Sequence, residues 1–183
     1  MAARGLWSPK AASGGTPGVV HAADNENAVN ICVKNGGHVF TRVPVFNTGA
    51  AQSAWLYLMG EEKFCQFTSP TDGSRIHITL ETLNSTKPSL AALAYYSKLP
   101  PATLPEGLAN PASQYCTQLG GSDLFGGISA SGGAWVNLTA IPDVKLEACI
   151  FPDMSSIDSW GLFYHANDII RGIDLATVLQ YQP

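Results

Sequence analysis

Apolar residues recur at helical spacing in two short stretches of this chain, and both stretches end in a pair of glycines. In "NPASQYCTQLGG", residues 110–121, Ala112, Tyr115, Cys116 and Leu119 fall at i, i+3, i+4 and i+7, one face of an amphipathic helix. Asn110 supplies an N-cap. Pro111 suits the first helical position, where a missing N–H costs nothing, and Gly120-Gly121 supplies a left-handed stop. Residues 26–37, "ENAVNICVKNGG", repeat the layout with Ala28, Ile31 and Cys32 on one face and Gly36-Gly37 at the end.

The correspondence continues downstream. "AWLYL" (54–58) matches "AWVNL" (134–138), and "CQF" (65–67) matches "CIF" (149–151). Alternating apolar residues around these stretches predict short antiparallel strands, and turns follow in "SPTDGS" and "PDMSS". Four matches in the same order predict a tandem duplication. The expected fold class is therefore α+β: two homologous small modules, each an N-terminal helix disulfide-linked to a short antiparallel sheet, with additional short helices. The divisions are a flexible N-terminal segment (1–23), a first repeat (24–86), a helix plus Pro-rich linker (87–106), and a second repeat with a C-terminal extension (107–183). The linker helix begins after Pro88 in "KPSLAALAYYSKLPPATLPEG".

The repeat also orders the four cysteines. Of three possible connectivities, Cys32 with Cys65 and Cys116 with Cys149 respects the duplication, and 33 residues separate the members of each pair. Closing a loop of this length is worth roughly 4 kcal/mol on the chain-entropy relation. A module of about 60 residues, which buries little surface, depends on such a staple. Paired cysteines would imply an oxidising compartment, and the expectation is a secreted or otherwise extracytoplasmic protein; the alternative is four buried free thiols in a reducing compartment. There is no CxxC pair and the histidines are not at ligand spacing, so neither a metal nor another cofactor is expected.

Composition narrows the partners. Only 13% of residues are charged, against a usual ~25%, while 45% are hydrophobic and 18 glycines and 12 prolines interrupt the chain. That is a folded, loop-rich protein. A net charge of −4 with no basic cluster argues against nucleic acid as a partner. No apolar run approaches the ~18 residues that suggest a transmembrane segment. The opening "MAARGLWSPKAASGGTPG" lacks the apolar core of a signal peptide, so no targeting segment is visible in this chain. The low charge and abundant small residues suit burial against a protein partner or self-association.

The second module carries a resemblance. "NPASQYCTQLGG" followed by "ACIFPDMSSIDSWGLFYH" (148–165) resembles the small hemolysin-like domain catalogued as domain of unknown function 333. That family's pattern is an Asn-Pro-Ala-Ser start, a Cys, a Gly-Gly, then Cys-x-Phe-x-Asp-Gly-Ser and a Trp-Ala-Phe-like helix. Asn110, Pro111, Ala112, Ser113, Cys116, Gly120, Gly121, Cys149, Phe151, Asp153, Ser155, Trp160 and Phe163 sit at matching positions. The first module keeps Cys32, Gly36, Gly37, Cys65, Phe67, Asp72, Gly73 and Ser74 but has no tryptophan equivalent to Trp160, and so resembles a diverged copy. Ile157 stands where the family often has a further cysteine, and no cysteine follows His165. The resemblance implies an exported, compact α+β module and no established chemistry. The chain has neither a long amphipathic helix nor an apolar hairpin of the kind that builds a pore.

Candidate chemistry is sparse. Asp72, Ser74 and His77 in the first module, and Asp153, Ser155, Asp158 and His165 in the second, are the groups from which a nucleophile and base could be drawn. No G-x-S-x-G elbow is present, and His77 and His165 are not at equivalent repeat positions. Asp72 and Asp153 are expected to cap turns through their own backbone. Carboxylate pairs for glycoside hydrolysis drawn from Glu61, Glu62, Asp143 and Glu147 follow no pattern, so no catalytic residue is assigned. The expected function is a non-enzymatic extracytoplasmic interaction or structural module. Candidate binding residues are Trp55 and Trp135, at equivalent strand positions, and Arg75. The alternative is a peptidase inhibitor that presents the loop 68–77, with Arg75 as its basic side chain. Sequons at Asn84 and Asn137 are candidate glycosylation sites. A glycan on Asn137 would require its strand face, shared with Trp135, to be exposed.

Overall fold

The structure is a computed structural model that describes residues 22–102, 110–123, 132–139 and 145–183. In chain order the elements are α1 (Ala22–Lys34), β1 (His38–Phe46), β2 (Leu56–Tyr57), β3 (Glu62–Thr68), β4 (Arg75–Thr79), α2 (Leu80–Asn84), α3 (Leu90–Ser97), α4 (Pro111–Gln118), β5 (Ala134–Val136), β6 (Lys145–Leu146), β7 (Ala148–Ile150), β8 (Ser156–Asp158) and α5 (Ser159–Ala166). Mixed helix and antiparallel sheet is thus the observed class. Residues 1–21 and Asp143 lie outside the described residues.

Every strand pairing is antiparallel, and the hydrogen-bonded order runs β6-β5-β1-β3-β4-β8-β7, with β2 branching from β1. Only Glu147 separates β6 from β7. The two ends of this path are therefore one stretch of chain, and the sheet closes on itself as a ring. β6 keeps β5 as its strand partner and β7 keeps β8, so the stretch 145–150 bridges the two ends of the path.

Alternation along the strands divides the ring into two faces. The outer face carries Cys65, Phe67, Ile76, Ile78, Cys149 and Ile157, which pack with Ala28 of α1, Tyr95 of α3, Tyr115 of α4 and Leu162 of α5 in one apolar core. The inner face carries a smaller cluster of Phe64, Leu146 and Ala148 with Trp135 against it, and the Phe64 and Trp135 rings meet edge to face at 5.4 Å. The cross-strand register puts Arg42, Gln66, His77 and Asp158 on this same inner face.

Two segments repeat each other closely. Cys32 is bonded to Cys65 and Cys116 to Cys149, so each disulfide ties a helix to the outer face of a strand. After each helix a glycine at positive φ, Gly36 at +81° and Gly120 at +85°, reverses the chain. The next glycine then crosses directly over the disulfide. A Cβ on Gly37 would lie 2.4 Å from Cys65 Sγ, and one on Gly121 would lie 2.4 Å from Cys149 Sγ. No residue larger than glycine fits there without a shift of the bridge.

The turns after β3 and β7 also correspond. Asp72 Oδ1 accepts the Ser74 N–H at 3.0 Å, and Asp153 Oδ1 accepts the Ser155 N–H at 3.1 Å. The middle residues, Gly73 and Met154, both have positive φ. The Ser74 hydroxyl then accepts the Gly172 N–H, and the Ser155 hydroxyl accepts the Ala91 N–H. Each serine thereby anchors the segment that leaves the other half of the chain.

Two expectations about the strands need correction. The small sheets expected for separate modules are one shared ring, because β5 pairs with β1 and β8 pairs with β4. "AWLYL" is not the counterpart of β5: Gln52–Ala54 form a single 3₁₀ turn and only Leu56–Tyr57 are extended. β5 pairs with both β1 and β6, and β1 pairs on its other side with β3. In β1, Val39, Val43 and Val45 recur with a period of two, and Arg42 and Pro44 occupy the alternate positions.

Candidate functional site

β4 and β8 meet where the two halves of the ring join. Ile78 pairs with Ile157, which sets His77 opposite Asp158. Each lies three positions after the serine of its own turn. A base faces an acid: His77 Nδ1 lies 2.9 Å from Asp158 Oδ2, and both side chains are buried. His77 Nε2 points further inward, 2.9 Å from Gln66 Oε1 and 3.4 Å from Arg42 Nη2. Arg42 is only 1% exposed, so its charge depends on polar partners within the fold.

Beside this network opens a cleft of about 250 Å³. Arg75 and His77 of β4 line one side, while Glu147, Asp158 and Trp160 form the other. Lys145, Leu146 and Arg171 complete it. Both carboxylates are held by donors of the fold. Asp158 Oδ1 caps α5 by accepting the Gly161 N–H at 2.9 Å. Glu147 Oε2 accepts Asn110 Nδ2 at 2.7 Å and the Trp160 indole N–H at 3.0 Å, which joins the start of α4 to α5. The Lys145 ammonium donates to the Thr48 carbonyl and lies 5.3 Å from the centre of the Trp55 ring. The Arg171 guanidinium lies 5.0 Å from the Tyr164 ring centre, and its buried Nε has no acceptor among the described residues.

The remaining candidates are dispersed. Trp55 is half-exposed at the end of the 3₁₀ turn with its indole N–H on the Ala50 carbonyl, whereas Trp135 is packed inside the ring, so the two do not form an equivalent pair. Arg75 is half-buried as the first residue of β4, and the tip of the preceding turn carries Thr71, Asp72 and Gly73 instead. Asn137 is buried, and its Oδ1 accepts the Thr139 N–H and hydroxyl, so the shared exposed face envisaged for a glycan there is absent. Asn84 is half-exposed and accepts Asn27 Nδ2 at 2.8 Å.

Ser74 and Ser155 hold backbone amides and neither contacts a histidine among the described residues. Asp72 is exposed, and the N–H of Ser74 holds its carboxyl below the usual range. Asp153 Oδ2 accepts the Leu90 N–H at 2.7 Å, so this turn also caps α3. Partial burial opposes ionisation of Asp153, but the Ser155 and Leu90 donors together keep its pKa low. His165 stacks on Tyr95 with ring centres 3.7 Å apart, and burial lowers its pKa. Glu61 is exposed at the start of the β3 strand region and Glu62 is partly buried, which raises its pKa.

Sequence reasoning missed Arg42, Gln66, Trp160 and Arg171 as members of a polar site. Arg42 and Gln66 were visible only as polar residues on the alternate positions of apolar strands. Arg171 carried no local signal. Comparison with protein-family models, curated proteins and solved structures finds no match to this chain.

Proposed function

We propose that this protein is an extracytoplasmic, non-enzymatic binding module made of two homologous halves, with its binding site in the cleft at their seam. The observation that carries this reading is convergence: Arg75 and His77 come from the first half and Glu147, Asp158, Trp160 and Arg171 from the second. Ligand sites favour such concave seams with a few convergent polar groups. The repeated disulfides, glycine crossings and Asp-Xaa-Ser turns support homology of the halves. The two disulfides fit an oxidising compartment, and no described helix is long and apolar enough to cross a membrane. Asn110, Cys116, Gly121, Cys149 and Trp160, which carry the resemblance to the hemolysin-like domain, all have bracing duties, and this supports a scaffold role.

A non-enzymatic role is supported by His77, whose ring nitrogens both face groups inside the ring, and by the serine hydroxyls occupied with backbone amides. The test is a fragment screen against the oxidised protein, read by amide and side-chain NMR shifts. Shifts are expected to cluster on Arg75, Glu147, Trp160 and Arg171. Shifts confined to the exposed apolar segment Leu56, Tyr57, Leu58 and Met59 would overturn the cleft and move binding to that edge.

A further inference from the structure

The cleft holds two carboxylates, yet their charges are already answered. Asp158 is met by His77 and the first turn of α5, and Glu147 is met by Asn110 and Trp160. Lys145 leans out to Thr48 and Trp55. Arg171 differs from these groups. Its guanidinium is fixed against Tyr164, while its buried Nε has no acceptor among the described residues. Arg171 nevertheless lines the cleft, so an oxyanion entering there can meet the part of the guanidinium that faces the opening with charge-assisted hydrogen bonds. The planar guanidinium fork matches carboxylate and phosphate oxygens, which a neutral hydroxyl compound cannot imitate. Arg75 on the facing strand adds a second positive charge to the same cleft. The Trp160 indole is held in place by Glu147 and by the Phe163 and Tyr164 rings, at 6.2 and 5.9 Å, and gives the cleft a rigid aromatic wall. A volume of about 250 Å³ corresponds to roughly eight waters at ~30 Å³ each, the size of a monosaccharide-scale molecule.

Resting on the binding-module reading above, we infer that the cleft takes a small molecule bearing an oxyanion, carboxylate or phosphate, which Arg171 grips while Trp160 packs against the body of the ligand. The protein as a whole carries a net charge of −4, so the attraction is local to this cleft.

The experiment titrates the oxidised protein with glucuronate, glucose 6-phosphate and glucose. It follows the Arg171 Nε–H and the Trp160 indole N–H by NMR. The two anionic probes are expected to shift both signals, with glucose at least tenfold weaker. Arg171→Gln should weaken the anionic probes at least tenfold. Arg171→Lys, which keeps the charge and gives up the fork, should weaken them less. Preference for glucuronate alone assigns a carboxylate, and preference for glucose 6-phosphate alone assigns a phosphate, and either supports the inference. Glucose binding as well as the anions, with Arg171→Gln and Arg171→Lys unchanged, would overturn the oxyanion while leaving the cleft a binding site. No shift at the cleft from any of the three overturns both.

Discussion

Replacing Cys32 and Cys65 together by alanine opens one loop of the chain without touching the other bridge, and the cost can be worked from the fold. Both bridges close loops of the same sequence separation, 33 residues. The chain-entropy relation gives about 4 kcal/mol for each at 25 °C. The loops 32–65 and 116–149 do not overlap, so the Cys116→Ala/Cys149→Ala pair should cost the same and the quadruple variant about twice as much. A loss of ~8 kcal/mol lies within the ~5–15 kcal/mol that holds a typical domain together, so the quadruple variant should be largely unfolded. All four sulfurs are fully buried, so each deletion adds a small void near the outer core, of order 1 kcal/mol. Urea unfolding followed by circular dichroism measures this directly. Each pair variant should lose about 10 °C in Tm for a chain of this size, with a steeper urea dependence because its unfolded state is more expanded. A cost below about 1 kcal/mol for either pair, or a difference above about 2 kcal/mol between them, would refute loop closure as the main contribution.

Gly121→Ala should destabilise by roughly 1–3 kcal/mol through collision with Cys149 Sγ, and Gly37→Ala by a similar amount. In the Cys116→Ala/Cys149→Ala background the Gly121→Ala penalty should largely vanish, and a thermodynamic cycle that showed simple additivity would contradict the close crossing. Asp158→Ala should cost roughly 2–4 kcal/mol, since it leaves the buried His77 without its acid and α5 without its cap; Asp158→Asn, which can keep the cap, should recover part of this in the same melt. Asp153 and Asp123 should respond to pH in opposite senses. The Asp153 carboxyl is lowered in the fold, so its contribution is complete above the unfolded pKa near 3.8 and is lost as pH falls through the folded value, and Asp153→Asn should flatten that acid limb. Burial raises Asp123, so stability is lost as pH rises from the unfolded value through the folded one. Asp123→Asn, still able to accept the Ser113 hydroxyl, should equal or exceed the parent at pH 7 in a melting scan, and a clear loss there would contradict the assignment.

The local chemistry of the chain was legible because it depends on residues a few positions apart. Asn110 caps α4 through the Ser113 N–H, Gly36 and Gly120 end their helices at positive φ, and Asp72 and Asp153 turn the chain on the N–H two residues ahead. The equal cysteine spacing already contained the bridges that join Cys32 to Cys65 and Cys116 to Cys149. What escaped was set by partners far apart in sequence. Matching "AWLYL" with "AWVNL" by letters put a strand in the wrong place, because pairing partners, not local composition, decide which segment is extended. Arg42 and Gln66 read as ordinary strand polars until β1, β3, β4 and β8 turned one face inward. The sequence by itself determined the helices that became α1, α3 and α4, the glycine stops and the Asp-Xaa-Ser turns, since each is satisfied by its own neighbours, and the equal spacing of the cysteines gave their pairing. Only the tertiary structure decided that the strands close into one ring, that His77 meets Asp158 at its seam, and that Arg171 reaches the cleft. The first two depend on strand register, which one residue of slip would invert, and the third on how the segment after α5 returns over the sheet.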